Sequence, residues 1–326
     1  MARSLVLLAL AVALIAPLPK PGAAETFPSH PLTLVVPFPA GGPTDALGRL
    51  VGERMARSLG QSVVIDNASG AGGTVGTAKV ARAPADGYTL CIGQLNSHVF
   101  GPAVYAPAYD VLADFEPVGL ISISMLMLVG RAELPAANLT DLVTWLKSQS
   151  QPATFATVGT GSPAHVWTVE FTNRTGTRFQ LIPYRGAAPA IQDMLAGRID
   201  LTALEASNLL PHVRAGKMKP LAVLSAGRWR AAPDVPTLGE QGYRGFEMPF
   251  WTGLFVRKGA SANAVTRLNA ALVESLGDVA LATRITELGQ DLPPREQQTP
   301  QALGARHRAD TEKWWPLIKA ANIKAE

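Results

Sequence analysis

The stretch PLTLVVPFPAGGPTD at residues 31–45 decides how the amino end of this chain folds. Residues 32–36 form a short apolar run, rich in β-branched side chains and bounded by prolines, which predicts a buried parallel strand. Two glycines then permit a tight turn, and the Pro-Thr-Asp that follows is typical of the first turn of a helix. The free amide groups of that helix are expected to point beyond the strand end.

A helix start of this kind is suited to an anion. A Gly-Gly turn is also a common connection in α/β domains, so the turn alone leaves both interpretations open. The same order of elements recurs, with predicted strands at residues 62–66 and 88–92, a glycine loop at 67–73 and a short helix at 74–82. This alternation predicts a parallel sheet, and the loops after its strands, including residues 94–98, share its carboxyl edge.

The alternation restarts in the second half of the chain. The patterns predict strands at 153–158, 181–184, 199–204, 220–224 and 251–256, and helices at 139–149, 190–196, 262–276, 279–288 and 300–318. Residues 207–215 connect the strands at 199–204 and 220–224. A glycine turn at 159–165 again precedes a helix. We predict an α/β protein of two lobes, each a mostly parallel sheet flanked by helices, with residues 25–124 and 246–326 in one lobe and 125–245 in the other. Two crossovers between facing lobes suit hinge closure around a cleft.

Residues 1–24 have the features of a secretory signal peptide, with a basic start at Arg3, an apolar core and small residues before Glu25. The apolar run is too short to span a bilayer, so we expect an exported, soluble protein. Loss of Arg3 and Lys20 with the leader lowers the formal net charge from +4 to +2. That charge is too small for a nucleic-acid or polyanion binder.

The motifs of common enzymes and metal sites are absent from the sequence. It has no Gly-x-Ser-x-Gly elbow, no His-Glu-x-x-His and no Walker loop, and its five histidines lack metal-ligand spacing. Cys91, the only cysteine, lies in an apolar run and is expected in the core. The glycines at 70–76 do not fit the dinucleotide fingerprint. We therefore predict no metal, no cofactor and no catalytic residue.

A set of short motifs in family order resembles the Bug receptors, the periplasmic substrate-binding proteins of tripartite tricarboxylate transporters. The matching segments are FPSHP (27–31), VVPFPAGGPTD (35–45), LGQ (59–61), GAGG (70–73), ADGYT (85–89), DFEPV (114–118), GTGSPAH (159–165), PYRG (183–186), AGK (215–217), LAV (221–223), PDVPT (233–237) and WTGL (251–254). They span nearly the whole chain after the leader.

The resemblance implies a two-lobed periplasmic binding protein of the Venus-flytrap type, expected to be a monomer. It would bind a small organic carboxylate, such as a dicarboxylate, tricarboxylate or aromatic acid, and deliver it to the permease subunits of a transporter. The family pattern implies that the turns at 39–45 and 159–165 hold the two ends of the ligand and that the loop at 184–186 closes the side. The candidate ligand-binding residues are Phe38, Pro39, Ala40, Gly41, Gly42, Thr44, Asp45, Gly72, Asn96, Ser97, Gly159, Thr160, Gly161, Ser162, His165, Tyr184, Arg185, Gly186 and Glu205.

Some roles stay open in the sequence. Arg185 either grips a carboxylate or faces solvent, and Glu205 either faces the cleft, where it would repel a carboxylate or accept from an amine or hydroxyl, or is a solvated strand end. Phe38, Tyr184 and Trp251 suit an aromatic pocket or an ordinary core. Two other functions remain as alternatives: an exported sensory receptor, and an exported enzyme that uses Asp45, His165 and Glu205 as acid–base groups.

Overall fold

The protein, represented by a computed structural model that describes residues 27–324, contains ten strands and ten α-helices in that range. The signal peptide predicted at residues 1–24 lies outside the described residues. The strands are β1 (Leu32–Val36), β2 (Val63–Asn67), β3 (Thr89–Gln94), β4 (Phe115–Ser124), β5 (Leu126–Arg131), β6 (Ala153–Thr157), β7 (Phe179–Pro183), β8 (Leu201–Glu205), β9 (Met218–Val223) and β10 (Phe250–Arg257). The helices are α1 (Pro43–Leu59), α2 (Thr74–Ala81), α3 (Gly101–Tyr105), α4 (Leu139–Ser148), α5 (Pro163–Thr175), α6 (Ala187–Leu195), α7 (Ala206–Arg214), α8 (Ala262–Leu276), α9 (Val279–Glu287) and α10 (Pro300–Ala320).

The strands form two five-stranded sheets with the same plan. The first has the order β2-β1-β3-β10-β4 and the second the order β7-β6-β8-β5-β9. In each sheet the first three strands are parallel and the fourth is antiparallel to both of its neighbours. The predicted fold class is confirmed, and the mixed character of each sheet is the feature that the strand patterns do not show.

The antiparallel strand of each sheet is the one that arrives from the other sheet. β4 ends at Ser124, and after Met125 the chain enters β5 of the second sheet, with Leu126 opposite Glu205. β10 brings the chain back and starts with Phe250 opposite Ser124. Because both crossing strands enter at the carboxyl ends of the parallel strands, they must run the opposite way.

The quoted stretch folds as its pattern predicts. Four of the five residues of β1 are buried, and α1 begins at Pro43 after Gly42, which has an extended backbone. Gly48 lets α1 lie close to the sheet, since a Cβ there would stand 3.0 Å from side-chain atoms of both Val36 and Ile92. The carboxyl-terminal helices return to the first sheet, where α8 packs on α1 and α10 packs on β4.

The short helical segment after β3 differs from the predicted loop at residues 94–98. Residues Asn96–Phe100 form a π-helical turn that continues directly into α3. Its residues are almost all buried without a one-sided apolar period, so an amphipathic pattern gives no sign of it. Over residues 27–324, none of the helices combines the length and the apolar character needed to cross a bilayer.

Candidate ligand-binding site

A cavity of about 590 Å³ lies between the two sheets, where the parallel strands of both end. This volume is typical of sites for small molecules. Residues that follow all six parallel strands contribute to its wall, together with the first residues of the two crossing strands, Leu126 and Phe250. The starts of α1, α5, α6 and α7 therefore border one shared space.

The first sheet supplies one wall through the turn before α1 and the glycine loop after β2. Phe38, Pro39 and the segment from Gly42 to Thr44 line the cavity, as do residues 69–73. Gln94, the last residue of β3, also faces it, and its amide nitrogen donates to Thr44 Oγ1 at 3.0 Å. The same nitrogen lies 3.3 Å from Thr252 Oγ1, so Gln94 holds the start of α1 against β10.

Asp45 stabilises the first turn through hydrogen bonds and does not line the cavity. Its carboxylate accepts from the amide of Gly41 at 2.9 Å, from Arg49 Nε at 3.0 Å and from Asn67 Nδ2 at 3.0 Å. Burial alone would raise the pKa of Asp45, but these hydrogen bonds and the Arg49 charge outweigh it and leave the pKa below its usual value. The amide of Gly41 is therefore already occupied by the chain's own carboxylate.

His165 stabilises the second turn in the same way. The amide of Gly161 donates to His165 Nδ1 at 3.1 Å, four residues ahead, as Gly41 does to Asp45. Burial lowers the pKa of His165, which favours the neutral ring, and a ring whose Nδ1 accepts carries its proton on Nε2. Ser162 caps α5, and its side chain accepts from the amide of His165.

The second turn touches the first lobe. Gly161 has a φ of +73°, and a Cβ at this position would lie 2.4 Å from Cγ2 of Val104 in α3. Only glycine fits both the backbone conformation and this close approach. Gly159 in the same turn also has a positive φ, of +106°, but a Cβ there would meet nothing within 4 Å. Gly161 is thus a point where the two lobes are packed against each other.

The second sheet supplies the other wall, with Arg185 and Glu205 as its two charged residues. Arg185 is exposed and, within residues 27–324, forms no ion pair. Tyr184 turns away from the cavity, and its hydroxyl donates to Asp193 Oδ2 at 2.7 Å. Burial and this contact with a carboxylate raise the pKa of Tyr184 to about 12.

The cavity brings together about half of the candidate residues. Those that line it are Phe38, Pro39, Gly42, Thr44, Gly72, Asn96, Arg185, Gly186 and Glu205. Those that the structure places outside the lining are Ala40, Gly41, Asp45, Ser97, Gly159, Thr160, Gly161, Ser162, His165 and Tyr184. Most of the second group belong to the two turns, whose helix starts reach the cavity through Gly42 and Thr44 on one side and Pro163 and Ala164 on the other. Ser97 is buried and bonds to the amide of Gln94 at 3.0 Å.

Three polar lining residues are missing from the predicted set: Ser69, Gln94 and Asn208. Gln94 ends a parallel strand, so the rule that ligands bind beyond strand ends was sufficient to find it. Asn208 lies in the first turn of α7 and carries no sequence signal of its own. Trp251 belongs to the core, where its indole nitrogen donates to Asp310 at 2.7 Å, and the aromatic residues of the cavity are Phe38 and Phe250.

Outside the cavity, the groups most relevant to catalysis are a thiol and possible metal ligands. Cys91 is fully buried, and burial raises the pKa of its thiol to about 12. In the part of the chain that the structure describes, no group of three or more His, Cys, Asp or Glu side chains is placed to hold a metal ion. Of the three acid–base groups that the enzyme alternative requires, only Glu205 lines the cavity.

Two facing α/β lobes with a cavity at the carboxyl ends of their strands define the class of bilobal solute-binding proteins. Within that class the chain belongs to the tripartite tricarboxylate transporter receptor family, TctC, because the profile of that family matches residues 47–323. The resemblance to the Bug receptors in the sequence is confirmed.

Solved structures support the same assignment. The chain is similar to the periplasmic binding protein BugD, with 34% identity, a TM-score of 0.78 and coverage of 92% of this chain and 100% of that one. MatC from Rhodopseudomonas palustris with bound malate is 34% identical, with a TM-score of 0.78 over 90% of this chain and 100% of that one. An R. palustris protein solved with adipate is 33% identical, with a TM-score of 0.79 over 92% and 100%.

Proposed function

We propose that this protein binds a small organic carboxylate in the cavity between its lobes and does not transform it. The observation that supports this most directly is the meeting of four helix starts and the Arg185 side chain at one cavity of about 590 Å³. Free amide groups and helix dipoles favour an anion without the burial of an uncompensated positive charge. Similar structures hold malate and adipate.

Transport is the use that fits this binding best. We propose that residues 1–24 direct the chain to the periplasm, where it works as a monomer and delivers its ligand to the membrane permease subunits of a tripartite transporter. In this proposal residues 25–124 and 246–326 form one lobe and residues 125–245 the other. A ligand that contacts both lobes stabilises the closed form by its differential affinity for the two states.

The proposal needs no cofactor, metal or catalytic group. An enzyme on this scaffold would need an acid and a base near the ligand, whereas Asp45 and His165 accept hydrogen bonds from their own turns. The role of the turn residues then is to fix the helix starts, and the contacts to the ligand come from the lining residues.

A thermal-shift screen of the purified mature protein tests the proposal. The panel contains mono-, di- and tricarboxylates, hydroxy and amino acids, and aromatic acids, with neutral amides of the same skeletons as controls. A ligand that binds only the native state at about 100 times its dissociation constant adds about 2.7 kcal/mol to the free energy of unfolding. We expect at least one carboxylate to raise the melting temperature by several degrees while its amide does not. No shift with any acid, or equal shifts with the amides, would contradict the proposal.

A further inference from the structure

Glu205 is an acidic side chain inside a cavity assigned to an acid. It is the last residue of β8 and the residue before α7, and its neighbours Leu204 and Asn208 line the same space. Its side chain does not cap α7. The carboxylate is therefore not held by the helix that follows it, and it faces the volume that the ligand would fill.

Within residues 27–324, the side chain of Glu205 accepts a single, weak hydrogen bond. Ser124 Oγ lies 3.4 Å from Glu205 Oε1, and the same hydroxyl lies 3.4 Å from the carbonyl oxygen of Phe250. Among residues 27–324 no lysine, arginine or histidine forms an ion pair with Glu205. Since an ionised carboxylate has about four acceptor positions, most of its hydrogen-bonding capacity is unused.

Two other carboxylates that are at least partly buried, Asp45 and Asp200, show the contrast with Glu205. Asp45 accepts three hydrogen bonds. Asp200 also accepts three, from Arg131 Nε, the amide of Thr154 and the hydroxyl of Thr154. Burial without such donors raises the pKa of Glu205 above its usual value. Because Glu205 lines the cavity and has free acceptor positions, it is complementary to a hydrogen-bond donor on a ligand bound there.

We propose that the ligand of this receptor carries a hydrogen-bond donor, an ammonium or hydroxyl group, that binds Glu205, while a carboxylate of the same ligand binds the helix starts and Arg185. The inference rests on the proposed function and narrows it to amino- or hydroxycarboxylic acids. A plain diacid is disfavoured, because a carboxylate close to Glu205 would meet a like charge in a partly buried cavity.

The test compares acids that differ only in the donor. Calorimetry at neutral pH measures the wild-type affinity for succinate, malate and aspartate, for adipate and 2-aminoadipate, and for benzoate and 3-hydroxybenzoate. We expect at least one donor-bearing acid to bind at least tenfold more tightly than its plain partner. The comparison of aspartate, which carries an ammonium group, with malate, which carries a hydroxyl group, shows which donor the site prefers. This arm uses the unmodified protein and does not depend on the folding of a variant.

The second arm changes the acceptor. Glu205→Gln keeps the shape and removes the charge, and Glu312→Gln, at an exposed position of α10, is the matched control. We expect Glu205→Gln to reduce the advantage of the donor-bearing acid at least tenfold and the control to leave it unchanged. Circular dichroism melting checks that each variant is folded.

The outcomes separate the two proposals. If plain and donor-bearing acids bind wild type equally, or if a plain diacid binds best and takes up a proton, the inference about Glu205 is overturned and carboxylate binding stands. If folded Glu205→Gln still prefers the donor-bearing acid to the same extent as the wild type, the inference about Glu205 is likewise overturned. If no acid of the panel binds, both the proposed function and this inference fail.

Discussion

The contact between Gly161 and Val104 gives a prediction about lobe closure that can be worked out from distances. In Gly161→Ala, the new Cβ would lie 2.4 Å from Val104 Cγ2 and 3.1 Å from its Cβ, so the second turn must move away from α3. Overpacking of this kind costs about 1–3 kcal/mol. An alanine at a φ of +73° adds about 1 kcal/mol of backbone strain.

Gly159→Ala is the matched control, since it places an alanine at a positive φ in the same turn and meets nothing within 4 Å. The difference between the two variants therefore isolates the clash between the lobes. If binding requires closure, a penalty of about 1–3 kcal/mol on the closed form weakens affinity by about 5- to 150-fold. We expect this loss in Gly161→Ala relative to Gly159→Ala.

Calorimetry with the best acid from the screen measures the affinities, and urea unfolding of the ligand-free proteins measures their stability. Adding Val104→Ala to Gly161→Ala removes both methyl groups of the valine and should restore most of the affinity. Equal affinities of the two glycine variants, or a double variant no better than Gly161→Ala, would refute the assignment of this contact to closure.

Three further predictions concern single residues. Asp45→Ala should lower the free energy of unfolding by about 1–3 kcal/mol in urea titrations, because it removes the hydrogen bonds that the buried carboxylate accepts from Gly41, Arg49 and Asn67. Since the pKa of Asp45 is lowered in the fold, its stabilising effect should be present above about pH 4 and lost as the pH falls further. Arg185→Ala should change the free energy of unfolding by less than about 0.5 kcal/mol yet weaken carboxylate binding, and an unchanged affinity would show a solvated side chain. Burial lowers the pKa of His307 to about 4, so the unfolded chain binds a proton first, and this residue alone should contribute about 2 kcal/mol to the loss of stability between pH 7 and pH 5. Burial also lowers the pKa values of His98 and His165, which add to the loss, so His307→Phe should reduce the pH dependence and not abolish it.

The local patterns of the sequence were sufficient for most of the secondary structure. The strand at 32–36, the glycine turn and the helix after Pro43 are each determined by residues close together in the sequence, so their patterns predict them correctly. The direction of β10 was not predictable in this way. It is set by the chain's return from the other lobe, a long-range event that leaves no mark on the residues of the strand itself.

The site shows the same division between local and long-range information. The glycine turns at 39–45 and 159–165 are evident in the sequence, but whether an amide such as that of Gly41 is free to bind a ligand depends on the side chain four residues further along the chain. Asp45 and His165 accept hydrogen bonds from the amides of Gly41 and Gly161, so they shape the turns instead of lining the cavity. The cavity positions of Glu205 and Asn208 depend on how the two sheets face each other, which only the folded chain shows.

A crystal structure of the protein with the carboxylate that gives the largest thermal shift tests the central claim most directly. The account predicts that the acid lies in the cavity between the sheets, with carboxylate oxygens bound by the helix starts at Gly42 to Thr44 and at Pro163 to Ala164, directly or through water. An acid bound outside this cavity, or one that contacts a single lobe, would contradict it.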